Sequence, residues 1–147
     1  MSKQKPTHIG MVCFNRAGWV LLCNAKGKPD EWVLPKGHIE PEDKSSGATA
    51  EREVLEETGV MSTVDSGSPI ETNEFDYAGE HLVITYYAGM AYRLCPTVVA
   101  ERPYRWVSCE RALEQLTFVD QRRVLRKALA MGEEDPIITP YADYGEQ

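Results

Sequence analysis

No run of eighteen or more apolar residues occurs in this chain, which excludes a membrane-crossing helix of ordinary length. The opening MSKQKPTH lacks the apolar core of a secretory leader, so the expected setting is cytoplasmic, with no membrane partner. Cysteine is scarce. Cys13, Cys23, Cys95 and Cys109 show no C-x-x-C spacing and two of them fall in strand-like apolar runs, which favours buried, reduced thiols over disulfides or a zinc centre. No basic stripe of the kind that coats DNA or RNA is present, so long nucleic acid is not an expected partner. Repeats and internal linkers are missing too. At 147 residues the chain is expected to form one domain over residues 1–132, with a Pro- and acid-rich tail, 133–147, trailing over the surface.

What the chain has in excess is negative charge, gathered in one place. Of a net charge of −7, residues 37–60 carry seven acids against Lys44 and Arg52, a net of −5, leaving −2 for the rest. This stretch, GHIEPEDKSSGATAEREVLEETGV, reads as a loop, a helix and a closing glycine. Ser45 or Ser46 supplies the N-cap and Gly59 the left-handed C-terminal residue. Glu53 and Glu57 are four residues apart and Glu53 and Glu56 three apart, so the three carboxylates share one helix face. Like charges at that spacing destabilise a helix unless a cation compensates them. Convergent oxygen ligands with one nearby His and no Cys suit a hard divalent cation, Mg²⁺ or Mn²⁺ before Zn²⁺. Val54 and Leu55, with Ala48 and Ala50, give the helix an apolar side. The competing reading is a solvated acidic helix.

The remainder of the chain alternates strand-like and helical patterns. His8–Phe14 and Trp19–Cys23 read as a hairpin about Asn15–Gly18, followed by a polar loop over Asn24–Glu31. Trp32–His38 reads as a short strand ending in a Pro-Lys-Gly turn. Ile70–Tyr77 and His81–Arg93 flank a turn at Ala78–Glu80, and Thr97–Ala100 is a possible strand edge. Tyr104–Val107 reads as a strand, with Ser108 capping a helix over Cys109–Leu116. A last helix covers Val119 to about Met131, with Val124, Leu125, Ala128 and Leu129 on its apolar face.

The acidic stretch resembles the Nudix box, G-x5-E-x7-R-E-U-x-E-E-x-G-U with U a bulky aliphatic residue. Arg52, Glu53, Val54, Glu56, Glu57, Gly59 and Val60 match it. The first half departs: Asp43 stands where the box has Glu, and eight residues rather than seven separate it from Arg52. The resemblance implies an α/β fold over residues 5–131, the Nudix α/β/α sandwich with a mixed central sheet and a loop-helix-loop catalytic box. It implies a hydrolase that uses Mg²⁺ (or Mn²⁺) to cleave a pyrophosphate bond in a nucleoside diphosphate linked to another moiety. Glu53, Glu56 and Glu57 would then be metal ligands, joined by the Gly37 carbonyl. Arg52 would orient Glu56 through an i,i+4 contact, and a further Glu after the box would assist as base, Glu101 first and Glu80 behind it. Lys36, Tyr87 and Arg105 are the expected substrate contacts. Lys26, Lys28, Arg93 and Arg102 could spread charge along several phosphates, and His38 is as readily a loop hydrogen-bonder as a catalytic group.

Within that family the entry WVLPKGH and the exit Tyr104-Arg105-Trp106 resemble dinucleoside polyphosphate hydrolases, which makes diadenosine tetraphosphate the favoured substrate. Nucleoside triphosphate, sugar-nucleotide and inositol pyrophosphate cleavage share the same box, although the last would call for a denser Lys/Arg basin. Outside the hydrolases, a catalytically inactive nucleotide-binding module stands as the alternative. An isopentenyl diphosphate isomerase would single out a Cys, and none is singled out here. The expected partners are small nucleotides or polyphosphates, and the expected assembly is a monomer or homodimer.

Overall fold

A computed structural model describes residues 5–65 and 69–134. One eight-stranded mixed sheet forms its centre, with strands β1 His8–Phe14, β2 Val20–Ala25, β3 Lys28–Val33, β4 Lys36–His38, β5 Val60–Val64, β6 Glu71–Tyr77, β7 Glu80–Leu94 and β8 Tyr104–Val107. Helix α1, Ser46–Thr58, covers one face, and α2, Cys109–Gln115, and α3, Val119–Glu134, lie on the other side. The spine of the sheet runs β3-β2-β1-β7-β5, with β4 added to β1, β6 to β7 and β8 to β2. This is the expected α/β/α sandwich. Among the described residues no helix is long and apolar enough to cross a membrane.

β1 explains why the sandwich has two cores. All seven of its residues are buried, and because side chains alternate across a sheet each face receives its own set. Ile9, Met11 and Cys13 pack with Ala50 and Val54 of α1, while Val12 and Phe14 pack with Val124, Leu125 and Ala128 of α3. β1 pairs β7 in parallel, Gly10 opposite Tyr86, and β4 in antiparallel, Gly10 opposite Lys36 and Ile9 opposite Gly37. That register brings the Pro-Lys-Gly segment beneath α1.

Four expectations about elements change. Asn24–Glu31 is a second hairpin rather than a loop: Gly27 takes φ +73° at the turn, and the Asn24 amide donates to the Pro29 and Glu31 carbonyls at 3.0 and 3.1 Å. β3 ends the spine, so Pro29 is tolerated on its edge. Trp32–His38 is two strands, because the Leu34 N–H donates to the Gln121 side chain at 3.0 Å and the chain then crosses from β2 to β1. Thr97–Ala100 forms no strand; the segment instead turns back so that the Glu101 and Arg102 amides donate to the last carbonyls of α1, groups that otherwise lack a partner. α3 continues through Glu133 and Glu134, which the sequence assigned to the tail, and residues 135–147 lie outside those described. Cys13, Cys23, Cys95 and Cys109 form no disulfide; Cys13, Cys23 and Cys109 are buried and Cys95 is half-buried.

The β6–β7 hairpin carries a pH-dependent clasp. His81 lies between Asp76 at 2.6 Å and Glu74 at 2.7 Å, and these carboxylates raise its pKa above 6.5. A raised histidine stabilises most fully below its unfolded pKa, and the contribution disappears as pH rises through the folded value. Amide protection across Glu71–His81, corrected for intrinsic exchange, is therefore expected to fall as pH rises above the ordinary histidine value of 6.5. His81→Gln should flatten that dependence, and an unchanged profile in the variant would remove the clasp.

Candidate active site

Helix α1 presents its carboxylates because its ends are fixed locally. The Ser45 hydroxyl accepts from the Ala48 N–H at 3.0 Å, and Gly59, at φ +78°, returns its own N–H to the Leu55 carbonyl at 2.8 Å. Val54 is buried against the sheet, which turns Glu53 and Glu57 inward and leaves the Glu56 side chain 43% exposed. Glu53 lies directly over Gly37: a Cβ built on Gly37 would overlap the Glu53 carboxylate. Only glycine leaves room for that contact.

Arg52 ties the loop to the helix. Its guanidinium holds Asp43 at 2.9 and 2.8 Å, donates to Glu53 at 2.7 Å and to Glu56 at 3.3 Å, and donates to the His38 carbonyl at 2.9 Å. Asp43 also accepts from the Thr49 hydroxyl at 2.7 Å and the Glu40 N–H at 2.9 Å. These donors, Arg52 above all, hold the Asp43 carboxyl well below the usual carboxylate range. The additional loop residue and the shorter side chain thus offset each other, and the carboxylate still reaches Arg52 in a two-pronged pair. The His38 ring meets the His8 ring at 4.0 Å between centroids.

Glu57 is the deepest of the three carboxylates, 2% exposed. It accepts from the Cys23 thiol at 3.5 Å and pairs with the Arg102 guanidinium at 3.4 Å. Burial pushes it up to about 7 against the pull of Arg102, and neighbouring Glu53 adds to the rise. Burial raises Glu53 as well and lowers the pKa of Lys36, whose charge Glu57 supports. Carboxylates crowded into a poorly solvated corner accept a cation readily. Among the described residues no three carboxylates, imidazoles or thiols enclose an ion as they stand, and the Arg52 guanidinium bridges Glu53 and Glu56 instead. The donor set nevertheless fits a hard divalent ion, with the oxygens of Glu53, Glu56 and Glu57 on one face beside the Gly37 backbone.

The other expected residues divide. Lys36 joins the site through Glu57 and Glu53. Glu101 is exposed, and its N–H donates to the Glu56 carbonyl at 3.3 Å, so its backbone sits at the end of α1. It borders a cleft of about 390 Å³ lined by Asn24, Lys26, Lys28 and Arg102. Glu80 sits at the tip of the β6–β7 hairpin, five residues from Thr85, which shares Ile9 as a register partner with Gly37; five residues of strand span roughly 17 Å. Tyr86 is buried in the α3-side core, where its hydroxyl accepts from the Gln121 amide at 3.1 Å. Tyr87 packs on the α1-side core. Arg105 stacks on Trp32 at 3.6 Å and donates to Gln115 at 2.9 Å. Neither Tyr87 nor Arg105 lines the cleft, and Arg93 borders a different cavity. Cys23 and the pairing of Arg102 with Glu57 had no sequence signal, because both depend on β2 and the 95–103 loop meeting under α1.

Comparison with known proteins extends this geometry. A family model described as NUDIX domain matches residues 4–128. Diphosphoinositol polyphosphate phosphohydrolase 2 of Rattus norvegicus is 51% identical over 41 residues, 28% of this chain and 22% of that protein. Diphosphoinositol polyphosphate phosphohydrolase 3-alpha of Homo sapiens is 47% identical over 51 residues, 33% of this chain and 30% of that one. The chain thus spans under a third of the length of these curated relatives. Among solved structures, a C. elegans Ap4A hydrolase binary complex superposes with a TM-score of 0.71 at 24% identity, covering 86% of this chain and 97% of that one. The NUDIX domain of Shewanella oneidensis NrtR, complexed with ADP ribose, superposes with a TM-score of 0.68 at 21% identity, covering 88% and 90%. These two likenesses establish the fold.

Proposed function

The chain belongs to the NUDIX domain family, and we propose that it is a divalent-metal-dependent hydrolase of a pyrophosphate bond in a polyphosphorylated small molecule. The observation that carries this reading is the seating of the Glu53 carboxylate on Gly37 beside buried Glu57. Glu53, Glu56, Glu57 and the Gly37 carbonyl would hold Mg²⁺ or Mn²⁺, which neutralises phosphate charge and lowers the pKa of water. Arg52, anchored on Asp43, orients Glu53 and Glu56. Glu101 is the proposed general base, since its loop is fixed to the end of α1. Lys36 faces the bridging phosphates in this scheme. The cysteines, none of them in a disulfide, support a reducing, cytoplasmic location as part of the same proposal.

Lys26, Lys28 and Arg102 around the 390 Å³ cleft supply positive charge for further phosphates. That arrangement supports a dinucleoside polyphosphate, diadenosine tetraphosphate first; of the adjacent tyrosines, Tyr86 is buried in the α3-side core and Tyr87 is half-buried against the α1-side core. The same basic cleft, together with the 51% identity over 41 residues to a diphosphoinositol polyphosphate phosphohydrolase, supports inositol pyrophosphates as a second reading. The test compares kcat/KM with Mg²⁺ for diadenosine tetraphosphate, an inositol pyrophosphate, dGTP, ATP and ADP-ribose, with products separated by chromatography. A tenfold preference for another compound, about 1.4 kcal/mol in transition-state binding, would overturn the substrate. Binding without turnover of any of them, with Mg²⁺ or Mn²⁺, would replace the hydrolase by a nucleotide-binding module.

A further inference from the structure

A second cavity lies on the α1 face of the sheet and shares no lining residue with the site described above. It measures about 420 Å³, and Asn15, Arg16, Tyr92, Arg93, Tyr104 and Trp106 contribute to its wall. The β1–β2 turn that carries Arg16 is braced, since the Asn15 side chain accepts from the Ala17 and Trp19 amides at 2.9 Å each. Tyr104 and Trp106 alternate on β8 and reach the α1-side core with their inner edges.

Tyr92 owes its place to a bulge. Met61 pairs with Arg93 but Ser62 pairs with Ala91, so Tyr92 is the unpaired residue of β7. A bulge of this kind re-aims a side chain that a regular strand would align with its neighbours. Tyr92 is consequently 57% exposed, and Leu94 beside it is 58% exposed. Arg16 and Arg93 are both exposed, and neither has a carboxylate partner among the described residues. In a chain of net charge −7, Arg52, Arg102 and Arg123 by contrast each hold a carboxylate. Two unpaired guanidinium groups beside three aromatic rings form a constellation for a planar group that carries an anion.

We propose that this cavity is a second, non-catalytic binding site for a nucleoside phosphate. The base stacks on the rings of Tyr92, Tyr104 and Trp106, and Arg16 and Arg93 hold the phosphate. The volume accommodates one mononucleotide and not a long polymer. The site abuts Val60, the first residue of β5 and the one that follows the Gly59 cap of α1, so an occupant touches the strand that leads out of the helix carrying the proposed metal ligands. The site itself does not depend on the proposed hydrolysis.

The test is a titration of AMP into the full chain in EDTA, followed by amide and indole NMR shifts and by calorimetry. Saturable shifts are expected at Arg16, Tyr92, Arg93 and the Trp106 indole. Arg16→Ala/Arg93→Ala and Tyr92→Ala are expected to weaken AMP at least tenfold each while leaving basal turnover unchanged. The proposal is overturned by absence of saturable shifts, by shifts confined to Lys36, Glu53 and the Lys26–Lys28 cleft, or by affinity that the variants do not alter. Inorganic phosphate binding as tightly as AMP would reduce the site to a bare anion contact and overturn the nucleoside part.

Discussion

Glu57→Gln is expected to lower kcat by about 10²–10⁴-fold without unfolding the chain. The exchange is nearly isosteric, and the amide oxygen can still accept from the Cys23 thiol. The charge is what changes, and the charge is what a bound cation would need. Stability supplies the control that separates lost chemistry from lost fold. Glu57 titrates at about 7 in the folded chain against an ordinary 4.5, chiefly because it is buried. A carboxyl raised on folding favours the folded state below its unfolded pKa and loses that advantage as pH rises through the folded value. In metal-free protein the loss therefore falls between about pH 4.5 and pH 7, and its size is on the order of 3 kcal/mol. The Gln variant carries no such loss. Its Tm in EDTA should match or exceed the wild-type value at pH 8, with the difference closing at pH 5. Near-normal turnover in the variant would remove Glu57 from the metal site. A lower Tm at pH 8 would show that its ionised form holds the fold together.

The parts of the site that were legible in the sequence are those fixed by local geometry. Carboxylate spacing on one helix face, a serine cap and a closing glycine all act within about four residues, so Glu53, Glu56, Glu57 and Gly59 could be placed before any fold was known, and the cap could be narrowed to Ser45 or Ser46. Alternation along β7 was legible too, but not which helix each parity would meet. That was decided by Gly10, where an added Cβ would lie 2.6 Å from the Tyr86 ring; the ring fills the space over the glycine, and Tyr87 takes the opposite face. That Arg105 stacks on Trp32 at 3.6 Å was not legible either, since the two residues lie 73 positions apart.

Long-range pairing also accounts for the misread strands. Whether Trp32–His38 is one strand or two depends on β1 offering an edge to Lys36–His38 and on Gln121 satisfying the Leu34 amide, contacts that no local pattern encodes. The 97–100 segment is strand-like in composition, yet the following residues serve α1 by meeting the Glu56 and Glu57 carbonyls. The departure at Asp43 is instructive for the opposite reason. One inserted residue and one missing methylene look like two faults in the motif, and in the folded loop they yield a carboxylate that receives Arg52, Thr49 and the Glu40 amide together.

Gly37→Ala is expected to have the second-largest effect, and it tests position rather than charge. The new methyl group would occupy the volume that the Glu53 carboxylate now fills, so either Glu53 rotates away or β4 shifts on β1. Overpacking of this kind costs about 1–3 kcal/mol, which a folded domain of this size tolerates, whereas moving a reacting group by 1 Å can cost about 10²-fold in rate. The variant should therefore remain folded, with β1–β4 amides still protected, while kcat falls at least a hundredfold and KM changes little. The double variant Gly37→Ala/Glu53→Asp separates the two costs, because the shorter side chain withdraws from the methyl by one methylene. Its Tm should recover toward the wild-type value, but its carboxylate would then fall short of Gly37 and of the Arg52 guanidinium, which now holds it at 2.7 Å, so kcat should stay low. A Gly37→Ala enzyme with wild-type turnover would show that the close contact between Glu53 and the Pro-Lys-Gly backbone is packing alone, and the proposed metal site would have to be rebuilt around Glu56 and Glu57.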